Sequence, residues 1–202
     1  MSDIFKIISE QIPNMDGWAS VEKCNILAKL VLAEKPETCI LIGVYAGRDL
    51  CAIALALKEN NKGVVIGIDP WSASESVKGQ NEEHTAWWSK APHDSVLKKC
   101  VDKIKEFQIE GFAKLVRSTS DDYTPPSSVD LVIVDGNHGE QAIKDIIKFA
   151  PIIKKGGYIL LDDISWPGGA VERAIMILFG LGFMWHLKVK NENEDYAILK
   201  RI

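Results

Sequence analysis

Apolar positions change their period several times along the chain. Over residues 2–12 and about 18–34 they recur at helical spacing, with Val21, Cys24, Leu27, Ala28, Val31 and Leu32 on one face, and Lys35-Pro36 stops the second segment. From Thr38 onward, short apolar runs alternate with helix-like stretches. Thr38–Val44 is a predicted strand followed by a helix over Asp49–Glu59, and Gly63–Asp69 is a second strand. A helix over Ser95–Ile109 leads to strands at Phe112–Val116 and Val129–Asp135, and a helix over Gln141–Ile153 leads to a fifth strand at Gly157–Asp162. Runs such as VVIGID and LVIVD are apolar almost without interruption, which indicates strands buried on both faces and hence a parallel sheet between helices. After a helix at about 168–180, FMWHLKVK and DYAILKRI flank Asn191-Glu192-Asn193-Glu194. So short a connection requires an antiparallel pair, because a parallel pair needs a long crossover. Between the second strand and the next helix lies an irregular stretch, about 70–94, whose length suggests a functional lid.

Composition narrows the function. With 202 residues, 47% of them hydrophobic and 26% charged, the chain is long enough for one domain with a full core. A net charge of −4 without a Lys/Arg cluster gives no footprint for nucleic acid. Cys24, Cys39, Cys51 and Cys100 are scattered without a CxxC pair, so buried reduced thiols are expected. The opening MSDIFKIISEQIP lacks the basic start and apolar run of a signal peptide, and no stretch approaches the roughly 20 apolar residues of a membrane span. These features lead to the expectation of a cytoplasmic protein without a membrane partner.

The candidate chemistry lies at the C-terminal ends of the predicted strands, where open α/β sheets bind ligands. Gly43 and Gly47 flank Val44-Tyr45-Ala46 in a GxxxG turn, which is not the GxGxxG dinucleotide fingerprint. Asp69 ends the second strand, where an acid can accept hydrogen bonds from both hydroxyls of a ribose. Asp135 ends the fourth strand, and Asp162 with Asp163 ends the fifth. Three carboxylates brought together repel unless protonated or bridged by a cation, and an oxygen-only set favours Mg²⁺, Mn²⁺ or Ca²⁺ over zinc. Adjacent strand residues face opposite ways, so Asp162 and Asp163 share a metal only where the strand has broken, and Ile164-Ser165-Trp166-Pro167 offers such a break. The alternative for these acids is capping of the helices that follow. His138, three residues past Asp135, sits at the mouth of the same crevice; a neutral imidazole there can accept a hydroxyl proton, ligate a metal or simply face solvent. Trp71, His84, Trp87, Trp88 and Trp166 either stack on a sugar or aromatic ring or anchor a loop. Together these residues point to an enzyme holding a nucleoside cofactor beside a metal ion.

This alternating pattern with a terminal antiparallel hairpin resembles the class I S-adenosylmethionine (SAM) dependent methyltransferases over about residues 36–202. Within that class, VDGNH followed by GGYILLDD resembles the metal-dependent O-methyltransferases, both the catechol type and, more closely, the sugar-modifying type related to macrocin O-methyltransferase. The resemblance implies a Rossmann-like three-layer α/β sandwich whose seven-stranded, mostly parallel sheet carries one antiparallel strand in the C-terminal hairpin. Residues 1–35 would be N-terminal helices preceding the methyltransferase domain, with a surface available to a second subunit. SAM would be held by Gly43, Tyr45 and Gly47, by Asp69 at the ribose, and by Ser120 and Asp121 at the adenine edge, although STSDD alone also reads as a capping turn. A divalent cation, Mg²⁺ or otherwise Mn²⁺ or Ca²⁺, would be held by Asp135, Asp162 and Asp163. His138 stands where the catechol type has a lysine base and the sugar-modifying type a histidine. Leu41 stands where the class pattern has an acid, two residues before the first glycine. The expected reaction is metal-assisted methyl transfer to a hydroxyl of a small sugar-containing or catechol-like molecule. The alternatives are metal-independent methyl transfer to nitrogen or carboxylate, an NAD(P)-dependent oxidoreductase, a hydroxylase-like relative of the same fold, and a non-catalytic cofactor-binding subunit.

Overall fold

The computed structural model describes residues 3–192 and 194–202, so the expectations for Ser2 at the helix start and Asn193 in the hairpin turn lie outside the described residues. Seven strands form one sheet: β1 (Thr38–Ile42), β2 (Val64–Asp69), β3 (Ala113–Arg117), β4 (Val129–Val134), β5 (Ile153–Leu161), β6 (Phe183–Lys190) and β7 (Asp195–Arg201). Their spatial order is β3-β2-β1-β4-β5-β7-β6. The first five run parallel, and β7 pairs antiparallel with both β5 and β6. The Rossmann-like α/β sandwich with a reversed C-terminal strand is therefore present as expected.

Burial on both faces of the central strands explains the sheet. In β1, Cys39 and Leu41 face one core while Ile40 and Ile42 face the other; in β4, Leu131 and Ile133 oppose Val132 and Val134 in the same way. The first core is closed by α1 (Asp3–Gln11), α2 (Val21–Glu34), α3 (Arg48–Glu59) and α6 (His93–Glu106). The second is closed by α7 (Glu140–Phe149) and α8 (Ala170–Gly180). All four cysteines are buried and free, as their apolar settings suggested. Among the described residues no helix is long and apolar enough to cross a membrane.

Several boundaries differ from the sequence reading for local reasons. β1 ends at Ile42, because Gly43 already turns with φ +85°. The helix expected to reach Ile153 stops at Phe149; Pro151 follows in a short 3₁₀ turn, and Ile153 already belongs to β5. The stretch 70–94 holds two short helices, α4 (Ala73–Ser76) and α5 (Glu82–Trp88). Asn81 starts α5 by accepting from the His84 amide at 2.8 Å.

Candidate active site

A crevice opens where β1 and β4 lie side by side, since the chain builds outward from β1 to β3 on one flank and from β4 to β6 on the other. Gly43 crosses its floor. A Cβ there would lie 2.0 Å from the Asp135 carbonyl oxygen, so with its positive φ only glycine fits. Gly47 also has positive φ and heads α3, closing a tight turn by donating to the Val44 carbonyl at 2.8 Å. Tyr45, between them, adopts φ +48° and projects its ring toward Trp18, Trp87 and Trp88, with centroids 4.9, 6.3 and 6.0 Å away.

Asp69 knits this turn to the start of the stretch 70–94. Its Oδ2 accepts from the amides of Val44 and Tyr45 at 3.0 and 2.9 Å, and its Oδ1 accepts from the Trp71 amide at 2.7 Å. With about four lone-pair directions on a carboxylate, roughly one is left for an incoming hydroxyl. The buried Trp71 ties the same loop from the other side, its indole N–H donating to the Tyr45 carbonyl at 2.9 Å.

Asp135 and Asp162 meet, because β4 and β5 pair Val134 with Leu161 and each acid is the next residue. Between them stands Lys23, delivered by the first turn of α2. Its side chain is 1% exposed, and its Nζ lies 2.8 Å from Asp135 Oδ2, 3.0 Å from Asp162 Oδ2 and 3.0 Å from Asp49 Oδ2. Burial works against the lysine charge, but the three carboxylates outweigh it and hold its pKa well above the usual lysine value. Burial, then the adjacent Asp162, pushes Asp135 well up, whereas Lys23 overcomes burial to hold Asp162 below the ordinary carboxylate range. Ser20 caps α2 by accepting from the Lys23 amide at 3.0 Å and is itself tethered to Glu194 Oε1 at 3.1 Å, which fixes where α2 begins.

Asp163 leaves this group. The strand breaks after Leu161 as expected, but Asp163 takes φ +49° and places Oδ2 3.3 Å from His138 Nε2. The expected metal set of Asp135, Asp162 and Asp163 is therefore not assembled, and among the described residues no group of three or more His, Cys, Asp or Glu is placed to hold a metal ion. Lys23 draws Asp135 and Asp162 together, and Asp163 instead turns to the His138 ring. For His138, burial lowers the pKa below the ordinary 6.5 and prevails over the opposing pull of Asp163 and Asp162, so the imidazole is neutral at neutral pH.

The stretch 70–94 reaches this histidine through Trp166. Asn137 donates to the Lys78 carbonyl at 2.7 Å, holding the first part of the stretch down. His84 of α5 stacks on Trp166 at 5.1 Å, and Trp166 in turn meets His138 at 5.1 Å. The far end of α5 brings Trp87 and Trp88 over Tyr45. One short helix thus bridges the glycine turn and the histidine.

Ser120 is turned inward, whereas Asp121 stays exposed. The Ser120 hydroxyl donates to Asp145 Oδ1 at 2.6 Å, and Gln141 donates to Ser120 Oγ at 3.2 Å and to Asp121 Oδ1 at 2.9 Å, while Lys148 caps both carbonyls at 2.7 Å. Of the two side chains, the exposed Asp121 keeps the freer edge. Sequence reasoning missed Lys23 and Asp49. The signal for Lys23 was its place four residues before Leu27 and eight before Val31 on the apolar stripe of α2, where a surface lysine does not belong.

Comparison with known proteins agrees with this geometry. A profile described as a methyltransferase domain matches residues 40–164, which run from β1 through the break after β5. Curated protein sequences give no match. Among solved structures, the chain is similar to the S-adenosylhomocysteine-bound methyltransferase PaMTH1 of Podospora anserina, with 14% identity, a TM-score of 0.70, and 100% of this chain and 89% of that chain covered. It is also similar to an S-adenosylhomocysteine-bound O-methyltransferase of Bacillus cereus, with 12% identity, a TM-score of 0.64, and 98% and 90% covered. The O-methyltransferase TomG of Streptomyces achromogenes, in complex with SAM, matches at 14% identity and a TM-score of 0.64 over 100% and 90%. With the matched segment spanning more than half of the sequence and containing Gly43, Asp69, Asp135, His138 and Asp162, the chain belongs to the methyltransferase-domain family.

Proposed function

We propose that this methyltransferase transfers the sulfonium methyl of SAM to a hydroxyl of a small molecule. The observation that carries the reading is the His138–Asp163 pair beside the glycine turn: a half-buried imidazole, neutral at neutral pH, with a carboxylate 3.3 Å from one ring nitrogen. SAM, which the structural neighbours hold as cofactor or as its demethylated product, supplies the electrophilic methyl when bound. In this reading Gly43 lets the backbone approach the cofactor, and Asp69 offers its remaining lone pair to a ribose hydroxyl. Asp121 lies toward the adenine end, with Ser120 acting through its hold on Asp145 and Gln141.

His138 then takes the hydroxyl proton as the acceptor oxygen attacks, and Asp163 orients the ring and stabilises the imidazolium that forms. Trp166, against His138 on one side and His84 on another, suits a flat or sugar-like acceptor, whose placement against the methyl supplies much of the rate. No step runs through a divalent cation, because Asp135 and Asp162 already share Lys23. That observation favours methyl transfer without a metal, here to a hydroxyl rather than to the nitrogen or carboxylate of the metal-independent alternative. Calorimetric titration with S-adenosylhomocysteine, followed by mass detection of a methylated product across a panel of sugar and catechol acceptors, tests the proposal. Cofactor binding with a +14 Da product at oxygen is expected; absence of cofactor binding sinks it.

A further inference from the structure

The acid cluster at the strand ends has the composition of a divalent-metal site but the geometry of something else. Lys23 Nζ donates to Asp135 Oδ2 at 2.8 Å and forms ion pairs with Asp162 and Asp49, each at 3.0 Å. The lysine is itself 1% exposed, and Asp49 behind it is 5% exposed. The Lys23 Nζ also lies 6.0 Å from the centre of the buried Tyr196 ring. Its helix is pinned at the N-terminus through Ser20 to Glu194, so the ammonium is held from several sides. Asp135 and Asp162, by contrast, keep 22% and 18% of their side chains open to the crevice. A cation entering from the crevice would meet two carboxylates whose charge is already engaged from behind, and it would sit close to a fixed positive charge.

We propose that Lys23 is the resident cation of this crevice, a protein-borne charge that takes the place of a divalent metal and holds Asp135 and Asp162 in position as hydrogen-bond acceptors for an acceptor molecule's hydroxyls. Lys23 is a positioning residue in this role, because it reaches the crevice only through the two acids. The inference concerns the same site as the methyltransferase reading, but its test is independent of turnover.

Mn²⁺ binding to the full-length protein, followed by electron paramagnetic resonance of free Mn²⁺, measures it directly. The wild type is expected to take up no Mn²⁺ at the crevice at millimolar concentration, so that Asp135→Asn leaves the free-ion signal unchanged. Lys23→Ala, which vacates the centre of three carboxylates, is expected to gain Mn²⁺ affinity at least tenfold over the wild type, and Asp135→Asn added to it should remove the gain. Wild-type uptake that Asp135→Asn abolishes overturns the proposal, as does a folded Lys23→Ala that takes up no more Mn²⁺ than the wild type. If Lys23→Ala does not fold, the wild-type arm with Asp135→Asn still decides between the two. Cofactor binding is read separately by S-adenosylhomocysteine titration, so failure here is distinct from failure of the methyltransferase assignment.

Discussion

Two groups of ionisable residues lie within one crevice and are built on opposite principles. Around Lys23 the charges are closely packed and tied down: three carboxylates crowd one buried ammonium, and the helix start that carries it is held by Ser20 and Glu194. Around His138 the partners are few, partly open and aromatic, with Asp163 42% exposed and Trp166 stacked against His84 of α5. The first arrangement serves rigidity, since removing one member leaves buried charge without compensation. The second serves proton transfer, since a neutral base near the surface can exchange its proton and release a product. The same residue type, aspartate at the end of a strand, serves both, and the neighbour decides which.

That contrast predicts a separation of phenotypes. The largest effect is expected for His138→Ala: turnover falls by roughly 10²–10⁴-fold, while S-adenosylhomocysteine affinity and the melting temperature stay near wild type. Steady-state kinetics beside calorimetry and thermal unfolding checks all three. Equal losses of turnover and stability would place His138 with the structural group instead. Next comes Lys23→Met, expected to cost about 3–5 kcal/mol of stability because three carboxylates lose their counter-charge. In a chain of this size that lowers the melting temperature by roughly 10 °C, which calorimetry or circular dichroism would register. An unchanged melting temperature would mean that the ammonium contributes no net stabilisation.

The sequence made the fold legible because its strongest signals are local. Strands such as VVIGID and LVIVD are apolar on both faces, so period and length identify them, and the turn residues Gly43 and Asp135 mark where they end. The acids at those ends were legible for the same reason. What they bind was not, since Lys23 pairs with Asp135 across 112 residues and nothing local in either segment names the other. The need for a cation was readable; that a helix of this chain supplies it was a tertiary fact. Ser120 illustrates the converse. The family resemblance implied an adenine contact for Ser120 and its local context a capping turn, but Asp145 on the inner face of α7 draws the hydroxyl inward at 2.6 Å. A buried acid on a helix leaves little trace when Gln141 and Lys148 beside it look like ordinary surface residues.

A smaller effect separates Trp166 from the base. Trp166→Ala removes the ring on which both His84 and His138 rest, and a lost aromatic contact of this kind is worth about 1 kcal/mol. The expected result is a KM for acceptor raised by roughly fivefold with less change in kcat. A kcat loss as large as that of His138→Ala would instead make Trp166 part of the mechanism.

The smallest effect lies in the pH profile and sharpens the comparison most. His138 titrates below 6.5 because burial disfavours its charge, with Asp163 pulling the other way. A base must be unprotonated to act, so kcat/KM should be level above neutrality and fall as pH drops through that lowered value. Asp163→Asn removes the nearby negative charge that favours the imidazolium, so the inflection should move to still lower pH. Turnover on the plateau should also drop, because the ring loses its orienting partner. An inflection that moves upward, or does not move, would assign the titration to another group and leave Asp163 without its part in proton transfer.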